Sequence, residues 1–286
     1  MESELFKELY RIVRSLGKSQ RPPKCQFTSA EIALVYFWAV ANDRCVDWAC
    51  QRRNWPIHRQ RRRFPNGSTM SRRLRQDDVI LLIAKIREHV GTLYEPSFER
   101  WIDAKPLPIG GSSQDVDAGY GRAAASMAKG YKLYAIADKN QGIVAAEVRP
   151  IQANEAGVAP VLIDQIEGPG TLAGDNAYDS NKLYDQAGAK QIQLIAPHRK
   201  NIQGLGHIKH SPFRIACQKL LRTKKGKRLL HQRDGIERMF GQLTGMPSGL
   251  SPLPNFIRGL RRVTNWVNAK IILFNLWRHL RRKATA

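Results

Sequence analysis

The chain has 286 residues, 42% hydrophobic and 25% charged, a composition that excludes a disordered chain and leaves room for a core needing no disulfide or zinc staple. Lys and Arg number 47 against 24 Asp and Glu, a formal charge of +23 that calls for a polyanionic partner, nucleic acid first. The four cysteines form no CxxC pair and no apolar run reaches the ~20 residues of a membrane span, so the expectation is a soluble, cytoplasmic, nucleoid-associated protein without a membrane partner.

The first hundred residues read as helical. Thr28 with Glu31 makes a capping box, followed by Ile32, Val35, Tyr36, Ala39 and Val40 at helical spacing. From Gln51 to Arg75 nine arginines occur with no acid among them. Inside this stretch Phe64-Pro65-Asn66-Gly67 marks a turn, and Ser68 or Thr69 opens a short helix, MSRRLR. Such a helix suits a DNA major groove, with Arg61, Arg62, Arg63, Ser68, Thr69, Arg72, Arg73 and Arg75 as contacts; a solvated basic helix is the other reading. Val79–Val90 is a further helix that packs on the first, and residues 92–100 read as a linker, which sets a helical DNA-binding region at 1–95 and a catalytic domain at 96–286.

The period then changes. Tyr131–Asp138 and Ile143–Val148 are strand-like runs joined by the turn Lys139–Gly142, and Pro106–Ile109 is a short run ahead of them. A helix over Glu155–Ile166, a short strand within Gly170–Asp175, a helix over Ser180–Ala187 and a strand over Ile192–Ala196 follow. A hairpin followed by alternating strands and helices describes an α/β fold, a mixed sheet with flanking helices. Residues 119–130, rich in Ala and Gly, carry little pattern, and 197–230 is either a basic loop or a pair of short exposed helices. Gln232–Leu243 is helical, and a last helix over Asn255–Arg282 is expected to pack one face on the core and offer a basic face to a polyanion.

Three acids stand out by context: Asp103 at the opening of the α/β region, Asp175 just past a short apolar run, and Glu237 on a helix. Converging carboxylates form a hard oxygen site for Mg²⁺ or Mn²⁺, and two such ions serve phosphodiester displacement; equally, each acid can cap a helix or pair with an arginine. Asp115, Asp117, Asp179 and Asp185 rank lower, with Asp179 read as a helix cap. His207, His210 and Cys217 lack a fourth ligand at zinc spacing. Trp48 and Trp55 read as core anchors, with base stacking as the alternative.

Four ordered blocks, IDAKPLPI around Asp103, GYKLYAIAD, LAGDNAYDS and RDGIERMFGQL, resemble those of DDE-type transposases of bacterial insertion sequences, of the small single-chain group. The resemblance implies a ribonuclease-H-like core behind an all-helical N-terminal DNA-binding domain. It also implies metal-dependent cleavage and strand transfer at element ends, using Mg²⁺ or Mn²⁺, two ions in all. Asp103, Asp175 and Glu237 fall on the catalytic acids, and Arg233, one turn before Glu237, on the arginine that orients the last. The usual tyrosine and lysine of the third block are here Leu230 and Thr244, and Arg228, Arg238 or Lys225 can stand in for the lysine. Lys132 and Arg238 are added to the DNA contacts. The partners implied are double-stranded DNA, as terminal inverted repeats and target, and a second copy of the chain. A non-catalytic, sequence-specific DNA-binding protein of the same fold is the competing reading.

Overall fold

In the computed structural model, which describes residues 3–17, 25–123, 126–198, 210–250 and 252–285, the chain divides into two units. One comprises Met1–Tyr94, Met246–Gly249 and Asn268–Ala286; the other comprises Glu95–Gly245 and Leu250–Val267. The tail from Asn268, which the sequence places with the catalytic domain, thus groups with the helical unit.

The helical unit is built on α2 (Ser29–Ala41), against which α1 (Glu4–Leu16), α3 (Val46–Ala49), α4 (Gly67–Arg73) and α5 (Asp77–Gly91) pack. Thr28 and Glu31 close the expected capping box: the Thr28 Oγ1 accepts the Glu31 amide, and the Glu31 carboxylate accepts the Thr28 amide. Apolar residues on every side of α2 leave it buried all round. Phe6 meets Trp38 edge-on at 4.6 Å, and Trp55 stacks on Trp38 at 5.0 Å. Both indole N–H groups are satisfied, Trp38 donating to the Asn54 carbonyl and Trp55 to that of Ala49, so these rings anchor a core. Fully buried Lys270 donates to the carbonyls of Val40 and Ser248 and to the Asp43 carboxylate at 2.5 Å, and burial lowers its pKa.

The second unit carries a six-stranded sheet of β1 (Glu99–Pro108), β2 (Gly119–Ala123), β3 (Ser126–Asp138), β4 (Gly142–Pro150), β5 (Gly170–Ala173) and β6 (Ile192–Ile195). The long β3 pairs antiparallel with β2 through its first part and with β1 and β4 through its second. Beyond β1 the pairings to β5 and β6 are parallel. The helices of this unit are α6 (Glu155–Asp164), α7 (Asn181–Ala189), α8 (Pro212–Leu221), α9 (Lys224–His231) and α10 (Asp234–Gly245); α11 (Leu260–Thr285) begins in it and continues, from Asn268, in the helical unit. Four antiparallel strands, β1 to β4, continued by the parallel β5 and β6, with helices alternating from α6 on, make a ribonuclease-H-like fold with a helical N-terminal unit.

Several expectations are corrected. The patternless stretch after Gly119 is β2 and the start of β3, whose small residues allow close backbone approach: a Cβ on Gly130 would lie 2.4 Å from the Leu107 carbonyl oxygen. Part of the supposed linker before Trp101 already belongs to β1, which runs unbroken through Pro106. Asp179 does not cap α7; Ser180 holds the cap position, and the Asp179 carboxylate takes a bidentate pair from Arg214 instead. In α11 the stretch Ala269–Leu276 is buried on all sides, and its exposed cations gather at the ends, Arg261 and Arg262 at one and Arg281 to Lys283 at the other.

Candidate active site

The site grows from the point where β5 stops. Its last pairing sets Ala173 opposite Trp101 of β1 in parallel register; two residues further on, Asp175 has left β5 while Asp103 continues within β1, paired on its other side with Ala135 of β3, so the two stand at the same level. Beyond Trp101 that side of β1 has no strand partner. Gly174 lets the chain turn there. A Cβ on it would lie 2.7 Å from the Tyr178 ring and 2.8 Å from Ile102, both buried. Gly174→Ala is therefore expected to cost about 1–3 kcal/mol in urea unfolding. It should also shift Asp175 relative to Asp103.

Both acids are half-buried, and one oxygen of each accepts a nearby amide, Asp103 from Ala104 at 2.7 Å and Asp175 from Ala177 at 2.8 Å. Burial pushes the Asp103 carboxyl up to about 6; the Ala104 amide opposes this, the charges of Asp175 and Glu155 add to it, and Arg233 draws it back. Paired acids on a partly dry strand edge, one already driven toward its neutral form, are a donor set that suits a divalent cation.

Two helices approach this edge from opposite faces of the sheet. Trp101 shares a face with Asp103 by the two-residue strand period, and α10 lies on that face because Gly235 allows it: a Cβ there would meet the Trp101 ring at 2.5 Å. Arg233, just before α10, reaches Asp103 electrostatically and stands 3.8 Å from Glu237. Glu237 itself is 63% exposed and stands apart from the acid pair. Among the described residues no three His, Cys, Asp or Glu side chains are grouped closely enough to hold a metal ion. Of the three acids singled out, the fold thus brings Asp103 and Asp175 together and leaves Glu237 one arginine away.

From the other face comes α6. Lys132 and Tyr134 point to that side; the Tyr134 hydroxyl donates to the Ala153 carbonyl and the Lys132 ammonium sits 3.2 Å from Glu155, the first residue of α6. Lys132 is only 14% exposed, so its ammonium is engaged within the fold rather than presented as the expected DNA contact. Glu155 was not among the acids singled out in the sequence, where it passes for an ordinary first-turn acid.

The expected DNA contacts on the helical unit separate by burial. Arg62, Arg63, Ser68, Arg72 and Arg75 are exposed, as is Arg238 on α10, while Thr69 is half-buried and gives its amide to the Asn66 cap of α4. Arg61 pairs with Glu31 at 3.1 Å and joins Arg14, Arg62, Arg63 and Tyr10 around a pocket of about 490 Å³. Arg73, by contrast, is 4% exposed and donates to the Asp78 carboxylate through both terminal guanidinium nitrogens, because its place on α4 turns it inward. His207 lies outside the described residues; His210 takes a bond from Arg214, and Cys217 is buried beside the Tyr184 hydroxyl. No helix of the described residues is long and apolar enough to cross a membrane.

Residues 99–276 match the family model described as "Transposase DDE domain". Among solved structures the chain is similar to a piggyBac transposase in a synaptic complex with hairpin DNA. That likeness has 13% identity and a TM-score of 0.45, and covers 99% of this chain and 74% of the other. The comparison with curated proteins found no match.

Proposed function

The chain belongs to the transposase DDE domain family and is a DNA-acting enzyme of transposase type, and from that premise we propose that it cuts DNA at the ends of an insertion sequence and joins the freed 3′ ends to target DNA. The observation that carries this reading is the meeting of Asp103 and Asp175 at the open edge of β1, where two hard carboxylates act on each other. These two residues would hold Mg²⁺ or Mn²⁺, two ions in the full complex, and Glu237 would complete the set from α10. A bound divalent cation supplies a lowered pKa for a water or 3′ hydroxyl and a charge for the leaving oxygen.

The protein's own part is to position. Gly174 and Gly235 set Asp175 and α10 close against β1. Arg233 balances the charge on Asp103 and offers donors to a phosphate, with Arg238 extending that surface. Arg61, Arg62, Arg63, Ser68, Thr69, Arg72 and Arg75 would hold the DNA from the helical unit, and cutting two ends of one element calls for two copies of the chain on DNA.

The test is incubation of the full chain with duplexes carrying the terminal inverted repeats that flank its gene, with Mg²⁺, with Mn²⁺ and with chelator. Metal-dependent 3′ hydroxyl ends and joined products are expected. Binding to the repeats without cutting would favour the non-catalytic reading, and cutting that ignores sequence without joining would mark a general nuclease. On the helical unit, Arg72→Ala should weaken binding to all duplexes alike and lower the slope of log affinity against log salt by about 1. Arg73→Ala should leave that slope unchanged and lower the unfolding midpoint instead, since it removes a buried partner of Asp78.

A further inference from the structure

We infer that the exposed face of the ribbon formed by β2 and the start of β3 is a further DNA-docking surface, holding the duplex about 6–8 base pairs from the phosphodiester that is cut. This rests on the reading of Asp103 and Asp175 as the site of cutting. The strand register carries it. Asp103 stands opposite Ala135 of β3, and every second residue back from Ala135 shares its face: Leu133, Tyr131, Lys129 and Met127. On β2, Tyr120 pairs with Lys129 and Arg122 with Met127, so these four side chains continue the Asp103 face beyond the end of β1. Lys129 and Met127 lie six and eight residues from Ala135, about 20 and 26 Å along an extended strand, the length of about 6–8 base pairs of duplex.

The two faces of the ribbon differ. Its back carries only Gly, Ala and Ser, and it is seated: Gly121 is buried, and a Cβ there would stand 3.1 Å from Ile151. Its front is open. Tyr120 is 61% and Met127 69% exposed, and the outer edge of β2 has no strand partner among the described residues. Arg122 is exposed and makes no hydrogen bond or ion pair among the described residues. Lys129 donates to the Ser113 carbonyl at 2.6 Å and lies 5.8 Å from the Tyr120 ring, which steadies that ring at the ribbon's base.

Apolar side chains on such a face call for a partner, and charge decides which. No acid occurs between Asp117 and Asp138. Asp115 and Asp117 themselves accept the amides of Gly259 and Leu260, which brings the exposed Arg261 and Arg262 beside the base of the ribbon. Nearer the acid pair, Lys105 shares the Asp103 face, is half-buried and also lacks a partner among the described residues. A second copy of the chain would set its own surplus of cations against these. A duplex answers them with phosphates and offers its sugars to Tyr120 and Met127.

The test is hydroxyl-radical footprinting of the full chain on the terminal-repeat duplex in chelator, with affinities read at several salt concentrations. Wild type is expected to protect the backbone about 6–8 base pairs from the cut. Arg122→Ala/Met127→Ala should lose that protection, bind about tenfold more weakly and lower the slope of log affinity against log salt by about 1. Its thermal midpoint should stay unchanged, because both side chains face water. Arg122→Lys should keep the slope. Unchanged protection and affinity in the double variant, while wild type cuts once Mg²⁺ is added, overturn this inference and leave the cutting reading standing. A wild-type dimer without DNA that the double variant turns into a monomer, read by light scattering, overturns it in favour of a second copy on this face. A wild-type chain that cuts the repeats with neither Mg²⁺ nor Mn²⁺ overturns the reading of the acid pair and this inference with it. Should the double variant fail to fold, Arg122→Glu alone must show the same loss of protection.

Discussion

Replacing Asp103 with Asn is expected to abolish cleavage while making the metal-free protein more stable at neutral pH. The activity side follows from chemistry: Asn keeps the shape but not the charge, and loss of one acid from a two-carboxylate centre should lower the rate by at least ~10³-fold, worth about 4 kcal/mol of transition-state stabilisation. The stability side follows from burial, which pushes the Asp103 carboxyl up to about 6. A raised acid binds a proton more tightly in the folded than in the unfolded chain. Between the ordinary carboxylate value near 4 and the folded value, folding therefore takes up a proton, and stability falls as pH rises through this window.

Above pH 6 the ionised folded state carries the full penalty, on the order of 2 kcal/mol. Asn carries none. The variant should exceed wild type by roughly that amount at pH 7.5 in chelator, and the two should converge below about pH 4. Urea unfolding at a series of pH values checks it. A variant less stable than wild type at pH 7.5 would mean that the Asp103 carboxylate is held by partners rather than strained, which would count against a cation site at this edge. Added Mn²⁺ should reverse the order, since it stabilises only the protein that can bind it.

The second large effect is on folding. Arg214→Met should destabilise the protein by about 3–5 kcal/mol, because it removes the bidentate cation that answers a buried carboxylate. Asp179 is fully buried, and Arg214 answers it with Nε at 2.8 Å and a terminal nitrogen at 2.7 Å while also reaching His210 at 3.0 Å. The hydrogen bond to Asp179 raises the Arg214 pKa against the opposing cost of burial. Asp179 ends the turn that begins at Asp175, so this pair ties that turn to α8. The double variant Asp179→Leu/Arg214→Met should recover most of the loss, as apolar replacement of a whole buried pair commonly does. Equal unfolding energies for the single and double variants would show that the pair does not act as a unit.

How much of this could be read in the sequence depends on how local the cause is. The capping box at Thr28 is decided by neighbours three residues apart, and it forms as read. The hairpin around Gly142 and the helices after it carry their own periodicity and turn residues, and they too form where expected. What lacked a local cause was missed. In β2 and the start of β3, Gly and Ala leave no alternation to read, because cross-strand hydrogen bonds rather than side chains hold them together. Arg73 looks like its neighbour Arg72 in sequence and is separated from it only by the inward face of α4.

The same division runs through the site. Sequence by itself pointed to the class of partner, through a surplus of 23 positive charges, and to those strands and helices whose patterns are complete within a few residues. It also marked Asp103 and Asp175 as acids in the right kind of place. Only the tertiary structure decided that the parallel register of β1 and β5 puts those two at one level and that Glu155, at the start of α6, pairs with Lys132 of β3. The reason is physical: a carboxylate's role is set by the charges and the dryness around it, and the charges on Asp103 come from residues 52 to 130 positions away, out of reach of any local pattern.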